Sequence, residues 1–166
     1  MSDLQLVACR VSGVEYAFPI VAVREVIRGV TAQPIGSADP TALGIVDLRG
    51  TAMPVHDLAL ALGGLKSSPI AFEDPNRTET VGGEDADAHD GRRIVVTSLG
   101  DSQGVVGWLV DGVDEVLVVD GSAIEDVDRT TSVVVRQIAH VGDGRLLPIL
   151  DVDHLLGGRA SFEEAA

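Results

Sequence analysis

Residues 50–64 read GTAMPVHDLALALGG, and the same pattern returns without a gap as GRLLPILDVDHLLGG over residues 144–158. Gly50, Pro54, Asp57, Leu62, Gly63 and Gly64 of the first copy meet Gly144, Pro148, Asp151, Leu156, Gly157 and Gly158 of the second. Each copy has the same local logic. A glycine turn leads into a short apolar strand, an aspartate caps the free N–H groups of a helical turn, and a glycine pair stops that turn. Further upstream, VREVI (Val23–Ile27) matches VDEVL (Val113–Leu117), and Phe18 meets Trp108. Two unrelated valine-rich strands would not share a cap, a proline three residues before it and a Gly-Gly stop. The chain therefore reads as duplicated, with about five strands and one capped helical turn per half. Two small antiparallel barrels or curled sheets are expected, each too small to stand well alone and joined along an apolar seam.

The remaining strands follow from turn signals between apolar runs. Leu4–Val11 ends at Ser12-Gly13, which predicts a tight hairpin into Glu15–Phe18. Val21–Ile27 has apolar residues at both helical and strand spacing, which fits a short helical turn leading into a strand, though periodicity alone does not decide between helix and strand there. Gly44–Leu48 and Thr51–His56 flank Arg49-Gly50, and Asp57 caps a helix over Leu58–Leu62. Arg92–Leu99, Val105–Val110, Val113–Val119, Val133–Val141 and Arg145–Leu150 complete the strands, with a turn-rich stretch at Asp120–Thr131 and a second short helix at Val152–Leu156. Between the halves, residues 66–91 lose all periodicity. From Glu73 to Asp90 they hold seven acids against one arginine, Arg77, the composition of an acidic flexible loop. The halves thus place approximate sub-barrels at 4–65 and 92–158, within one domain spanning 1–166.

Composition removes several function classes. The 166 residues carry 12 basic and 26 acidic side chains, a formal net charge of −14. An extended phosphate-binding surface needs clustered Lys and Arg, and aromatic residues, at 3%, offer little stacking for single strands, so no nucleic-acid partner is expected. No apolar run reaches the roughly 18–20 residues of a membrane span, and the acidic start MSD is unlike a secretory leader. The single cysteine, Cys9, rules out an intrachain disulfide and a cysteine zinc cluster, and it reads as a small buried apolar group in a cytoplasmic protein.

No catalytic constellation stands out. The Gly-x-Ser-x-Gly elbow and the Gly-x-x-x-x-Gly-Lys-Ser/Thr loop are both missing. Asp111-Gly112 lacks the Ser or Thr of an acid-protease dyad, and Lys66 sits at the edge of the acidic loop, a poor place for a desolvated nucleophile. Asp85–Gly91 faintly suggests a calcium loop but has no glycine at its sixth position and Val96 at its twelfth. Asp151, Asp153 and His154 read more simply as a cap and an exposed helical face than as metal ligands. His56 falls opposite Leu150 of the second copy, where a core or interface side chain is expected. No cofactor and no metal follow from these residues. Apolar runs such as Val105–Val110, Val116–Val119 and Val133–Val135 are apolar on both strand faces, so they either pack at the seam or meet partners.

Residues 44–50, GIVDLRG, followed by Met53-Pro54-Val55-His56-Asp57-Leu58, resemble the signature of CheW-type chemotaxis coupling proteins. Val23–Ile27 and Gly107–Val116 resemble two further segments of that family, as does Leu147–Leu156, so the likeness runs from about Leu4 to Gly157. The resemblance implies an all-β fold of two five-stranded SH3-like barrels sharing a hydrophobic core, with short capping helices and no enzymatic activity. It implies a scaffold that couples the cytoplasmic tip of a methyl-accepting chemoreceptor to the regulatory domain of a CheA-type histidine kinase, in the cytoplasm beside membrane receptor arrays. By resemblance, Arg49 is a receptor-contact or site-orienting residue, with Glu25 and Val23 beside it. Gly44, Gly107, Val110, Val113 and Val116 would line the groove between the barrels. A guanidinium suits that place, because its planar fork holds carboxylates or carbonyls while its stem covers apolar surface. The structural alternative makes Arg49 a pin across the barrel seam and Glu25 its ion-pair partner, with Asp111 a turn residue. No residue is assigned to kinase binding.

The sequence departs from the family in Asp47, where Asn is usual, in His56, where an apolar residue is usual, and in its long acidic loop. These departures leave room for the same adaptor in a pilus-motility or developmental pathway. A calcium or small-ligand sensor built on the acidic loop and the groove is the expectation from another class, and an enzyme using Asp111 or His56 a third.

Overall fold

The structure, a computed structural model, describes residues 3–36, 39–63, 91–99, 104–128, 130, 132, 134–142 and 144–155. Its strands are β1 (Leu4–Val11), β2 (Val14–Pro19), β3 (Val23–Arg28), β4 (Ala42–Leu48), β5 (Thr51–Asp57), β6 (Arg93–Ser98), β7 (Val105–Val110), β8 (Gly112–Val119), β9 (Ile124–Asp126), β10 (Val135–Val141) and β11 (Arg145–Leu150). A helical turn, α1 (Leu58–Ala61), follows β5, and residues 152–155 are helical after β11. The fold is all-β, as the patterning implied.

Local chemistry sets these elements. Ser12 and Gly13 have φ of 53° and 80°, and Arg49 and Gly50 have φ of 50° and 89°. Both are two-residue hairpin loops with positive φ at each central position, which matches the right-handed twist of the flanking strands. Asp57 caps α1 by accepting from the Ala59 N–H (3.0 Å), and Gly63 follows the helix at φ 80°. Asp151 accepts from the His154 N–H (3.3 Å) in the second copy. The helical turn expected before β3 is a 3-10 turn, Ile20–Ala22. Gly64 and residues 156–158 of the repeat, and all of the acidic loop but Gly91, lie outside the described residues. β9 was not foreseen. Its three residues, Ile-Glu-Asp, are too few to show alternation, and it pairs with β10 from Gln137↔Asp126 to Ala139↔Ile124.

Two sheets result, in the orders β8-β1-β2-β11-β10-β9 and β3-β6-β7-β5-β4. The sub-barrels expected at 4–65 and 92–158 are not these sheets. Each half instead sends its first hairpin into the other half's sheet. The β6–β7 hairpin lies between β3 and β5, and the β1–β2 hairpin lies between β8 and β11. Both insertions end in a parallel contact, Val55↔Gly107 for β5 with β7 and Ile149↔Ala17 for β11 with β2. The repeat carries Val55 onto Ile149 and Ala17 onto Gly107, so the two crossings are equivalent and each includes a small residue. The physical reason is burial. Each hairpin is apolar on both faces, and only a position in the middle of a sheet, with the other sheet behind it, covers both.

Three apolar clusters show this. Leu6, Ala8, Ala17, Val119, Ala139, Leu147 and Ile149 fill the inside of the first sheet. Val46, Met53, Val55, Ile94, Val96 and Leu109 fill the second. The alternate faces of the inserted hairpins, with Val7, Cys9, Phe18, Val95, Val106, Trp108 and Val110, form the seam between the sheets, together with Leu58 of α1 and Leu150, Val152 and Leu155. The apolar run Val105–Val110 is therefore internal from Val106 to Val110, whereas Val116 and Val118 on β8 are exposed.

Candidate functional site

β3 and β4 are the two end strands of the second sheet, and the Arg49 turn joins β4 to β5. From that turn the Arg49 guanidinium reaches across to Glu25 on β3. Nη1 donates to Oε1 at 3.2 Å and Nη2 donates to Oε2, a two-pronged pair that links the sheet's two ends. The pair draws the Glu25 carboxyl below its ordinary pKa through the hydrogen bond and charge of Arg49, and raises that of Arg49 in turn. The Arg49 side chain remains 70% exposed and Glu25 30% exposed, so the outer face of the guanidinium is open to solvent. Asp47 Oδ1 accepts from the Gly50 N–H at 2.7 Å and pins the turn from within. That bond needs only an acceptor oxygen, which the Asp47 carboxylate supplies.

The first sheet has a counterpart that the sequence reading missed. Arg145, opening β11, approaches Glu15 on β2 at 3.0 Å and Glu115 on β8 at 3.6 Å. Glu115 is the repeat partner of Glu25, so VREVI and VDEVL already carried the signal. The arginine could not be found the same way, because it follows its turn glycine in the second copy and precedes it in the first.

The other anticipated residues divide into three sets. Val23 and Val113 pack half-buried against the seam. Val116 is 57% exposed on β8, with Val118 at 61% on the same face, while Val26 on β3 is 38% exposed. Gly44, Gly107 and Val110 are buried. Their expected place on the lining of an open groove is corrected. A Cβ on Gly107 would lie 2.7 Å from Ile94 Cγ2 and 3.0 Å from Met53 Cε, inside the second sheet. One on Gly44, at φ 143°, would lie 2.1 Å from the Gln33 carbonyl oxygen. That close approach lets Gln33 and Ile45 exchange backbone hydrogen bonds of 2.8 and 2.9 Å, which lay the segment before β4 along its edge. Both glycines shape the surface from behind.

Asp111 is a structural turn residue. Its Oδ2 accepts from the Ser12 N–H (2.8 Å) and its own N–H donates to the Arg10 carbonyl (2.9 Å), tying the β7–β8 corner to the β1–β2 loop. Arg10 pairs with Asp114 at 2.9 Å. Beneath them Cys9 is fully buried, and burial, then Asp114, Glu15 and Asp111, push its thiol up to about 12. A thiol so placed is no nucleophile. His56 is buried beside Thr41, its Nδ1 2.9 Å from the Thr41 hydroxyl oxygen. Asp151 and His154 form a cap contact of 2.7 Å between Oδ2 and Nδ1. Among the described residues no three His, Cys, Asp or Glu side chains are placed to hold a metal ion, and no helix is long and apolar enough to cross a membrane. His89 and most of the calcium-like run fall outside them.

The chain is similar to known proteins along nearly all of its length. A family model described as "CheW-like domain" matches residues 5–160. A probable chemotaxis protein CheW of Rhizobium etli is 27% identical over 156 residues, covering 92% of this chain and 87% of that protein. The chemotaxis protein CheW of Bacillus subtilis is 27% identical over 161 residues, covering 95% and 89%. The crystal structure of the scaffolding protein TtCheW from Thermoanaerobacter tengcongensis superimposes with a TM-score of 0.74 at 23% identity, covering 93% of each chain, and so shares the fold.

Proposed function

This chain belongs to the CheW-like domain family and is a chemotaxis scaffold rather than an enzyme, and from that premise we propose that it couples chemoreceptor cytoplasmic tips to the regulatory domain of a CheA-type histidine kinase. The observation that carries the reading is the Arg49–Glu25 pair. It orients a guanidinium at the end of the second sheet with one face still open, next to partly exposed valine on β3. A helical receptor tip offers carbonyls and carboxylates at its turn and apolar side chains along its flanks, and such a surface can meet both. Val23, Glu25 and Arg49 form one part of the proposed contact, and Val113 and Val116 on the repeat-equivalent strand form another. Buried Gly44, Gly107 and Val110 act through the shape they allow. The kinase domain is expected to use separate apolar surface, so that one chain can be held on two sides at once. Contacts that are weak one at a time gain strength when many copies are arrayed near receptors at the membrane.

The test is reconstitution with kinase and receptor. Adding the protein should change the kinase's phosphorylation rate when receptor is present and leave it unchanged without receptor. Arg49→Ala should weaken receptor capture at least several-fold while thermal unfolding stays close to wild type, because an exposed pair contributes little to the fold. Undiminished capture by that variant counts against the assignment of Arg49.

A further inference from the structure

We propose that Asp39, Thr41 and His56 form a directed hydrogen-bond chain that latches the segment before β4 onto the central seam, with a proton fixed on His56 Nδ1. The Thr41 hydroxyl oxygen lies 2.8 Å from Asp39 Oδ1 and 2.9 Å from His56 Nδ1. A hydroxyl has one hydrogen to give, and an ionised carboxylate can only accept. The stronger, charge-assisted bond takes that hydrogen, so Thr41 donates to Asp39. Towards the imidazole Thr41 then has only lone pairs, and Nδ1 must be the donor. The direction of the chain is thus His56 Nδ1–H to Thr41 to Asp39, and it holds whether the ring is neutral or charged.

Backbone bonds run alongside. The Thr41 N–H donates to Asp39 Oδ1 at 2.9 Å, and the Thr41 carbonyl accepts from the Asp57 N–H at 2.8 Å. Asp57 in turn caps α1, whose Leu58 and Ala59 lie in the seam. The His56 ring also sits against Trp108, with centroids 5.4 Å apart. The chain therefore leads from a partly exposed carboxylate to the middle of the molecule. The second half shows what the device replaces. His56 faces Trp108 across the β5–β7 pair, and the repeat carries these two onto Leu150 and Phe18, both buried and apolar. A histidine in a position built for leucine is tolerated when its ring nitrogen is matched, and Thr41 with Asp39 matches it. Earlier in the same connection Val30 and Ile35 are about half exposed, on a stretch that the Gln33–Ile45 backbone bonds hold to β4.

Nitrogen-edited NMR of the full chain, recorded at alkaline pH with the ring neutral, should show His56 protonated at Nδ1. Thr41→Val should leave Asp39 Oδ2, 3.7 Å from Nδ1, as the remaining acceptor on that side and speed amide exchange at Asp57 about fivefold, the loss of one hydrogen bond. Thr41→Ser should restore the wild-type exchange rate. A bare Nδ1 in the wild-type protein overturns the proposal, and so does unaltered exchange at Asp57 in Thr41→Val. If that variant fails to fold, the wild-type ring measurement decides alone.

Discussion

Arg49 occupies backbone at φ 50° that most side chains avoid, and its following glycine sits at φ 89°. Asp47 pins the loop, and Glu25 receives the guanidinium that projects from it. The pair has a pH signature. Glu25 is depressed in the folded protein, so its contribution is complete above the unfolded carboxylate value of about 4.3 and is lost as pH falls through the lower folded value. The difference in melting temperature between wild type and Glu25→Gln should be level from neutral pH down to about 5 and shrink at lower pH; a difference that grows on acidification would contradict the pairing. Cys9 gives a second measurement. With its thiol raised to about 12 and its surface fully buried, alkylation of the native protein at neutral pH should proceed at the rate of unfolding, and denaturant should release it at once. The motif positions of Arg49 and Glu25 could be read from the chain, and so could the cap at Asp57. Their pairing was one of the two readings the sequence offered, and the structure forms it; that the pair joins the two ends of one sheet could not be read, because the strand order depends on pairings distant in sequence.

The strands themselves were legible because turn chemistry punctuates them. Ser12-Gly13, Arg49-Gly50 and Gly144 mark hairpins, and the runs between them are valine-rich. Their partners were not legible. A strand apolar on both faces, like β7, says that it is covered twice and gives no hint of which neighbours cover it. The answer lies in the parallel crossings, where β5 meets β7 at Val55↔Gly107 and β11 meets β2 at Ile149↔Ala17. Gly107 is the tightest point of the first crossing. Gly107→Ala should cost about 1–3 kcal/mol, the range for overpacking a filled core, because Ile94 and Met53 leave no room for a methyl group. Urea unfolding would read it, and a neutral substitution would show that the interior of this sheet can give way. The mirror change, Ala17→Gly, removes a methyl from a buried site and should destabilise more mildly.

Among the described residues, neither half of the chain owns a complete sheet. Residues 4–65 contain β3, β4 and β5 but lack the β6–β7 hairpin that lies between β3 and β5, and residues 92–158 lack the β1–β2 hairpin in the same way. Expressed separately, each half should show little native circular dichroism. Mixed, the two should recover a folded heterodimer with a single cooperative melt. Native spectra from either half alone would contradict the exchange. The duplication was readable from the repeat at Gly50–Gly64 and Gly144–Gly158, but the repeat is equally compatible with two self-contained sheets, and burial of two-faced hairpins is what selects the exchanged arrangement.

The chain crosses between the sheets at Ile20–Ala22 and again at Asp111, and Asp111 is clamped to the loop of the inserted β1–β2 hairpin. The sheet that carries the Arg49 rim is thus tied to the other sheet at two separate points of the described chain. A displacement of one sheet therefore has to pass to the other through these two crossings and the packed apolar layer they flank.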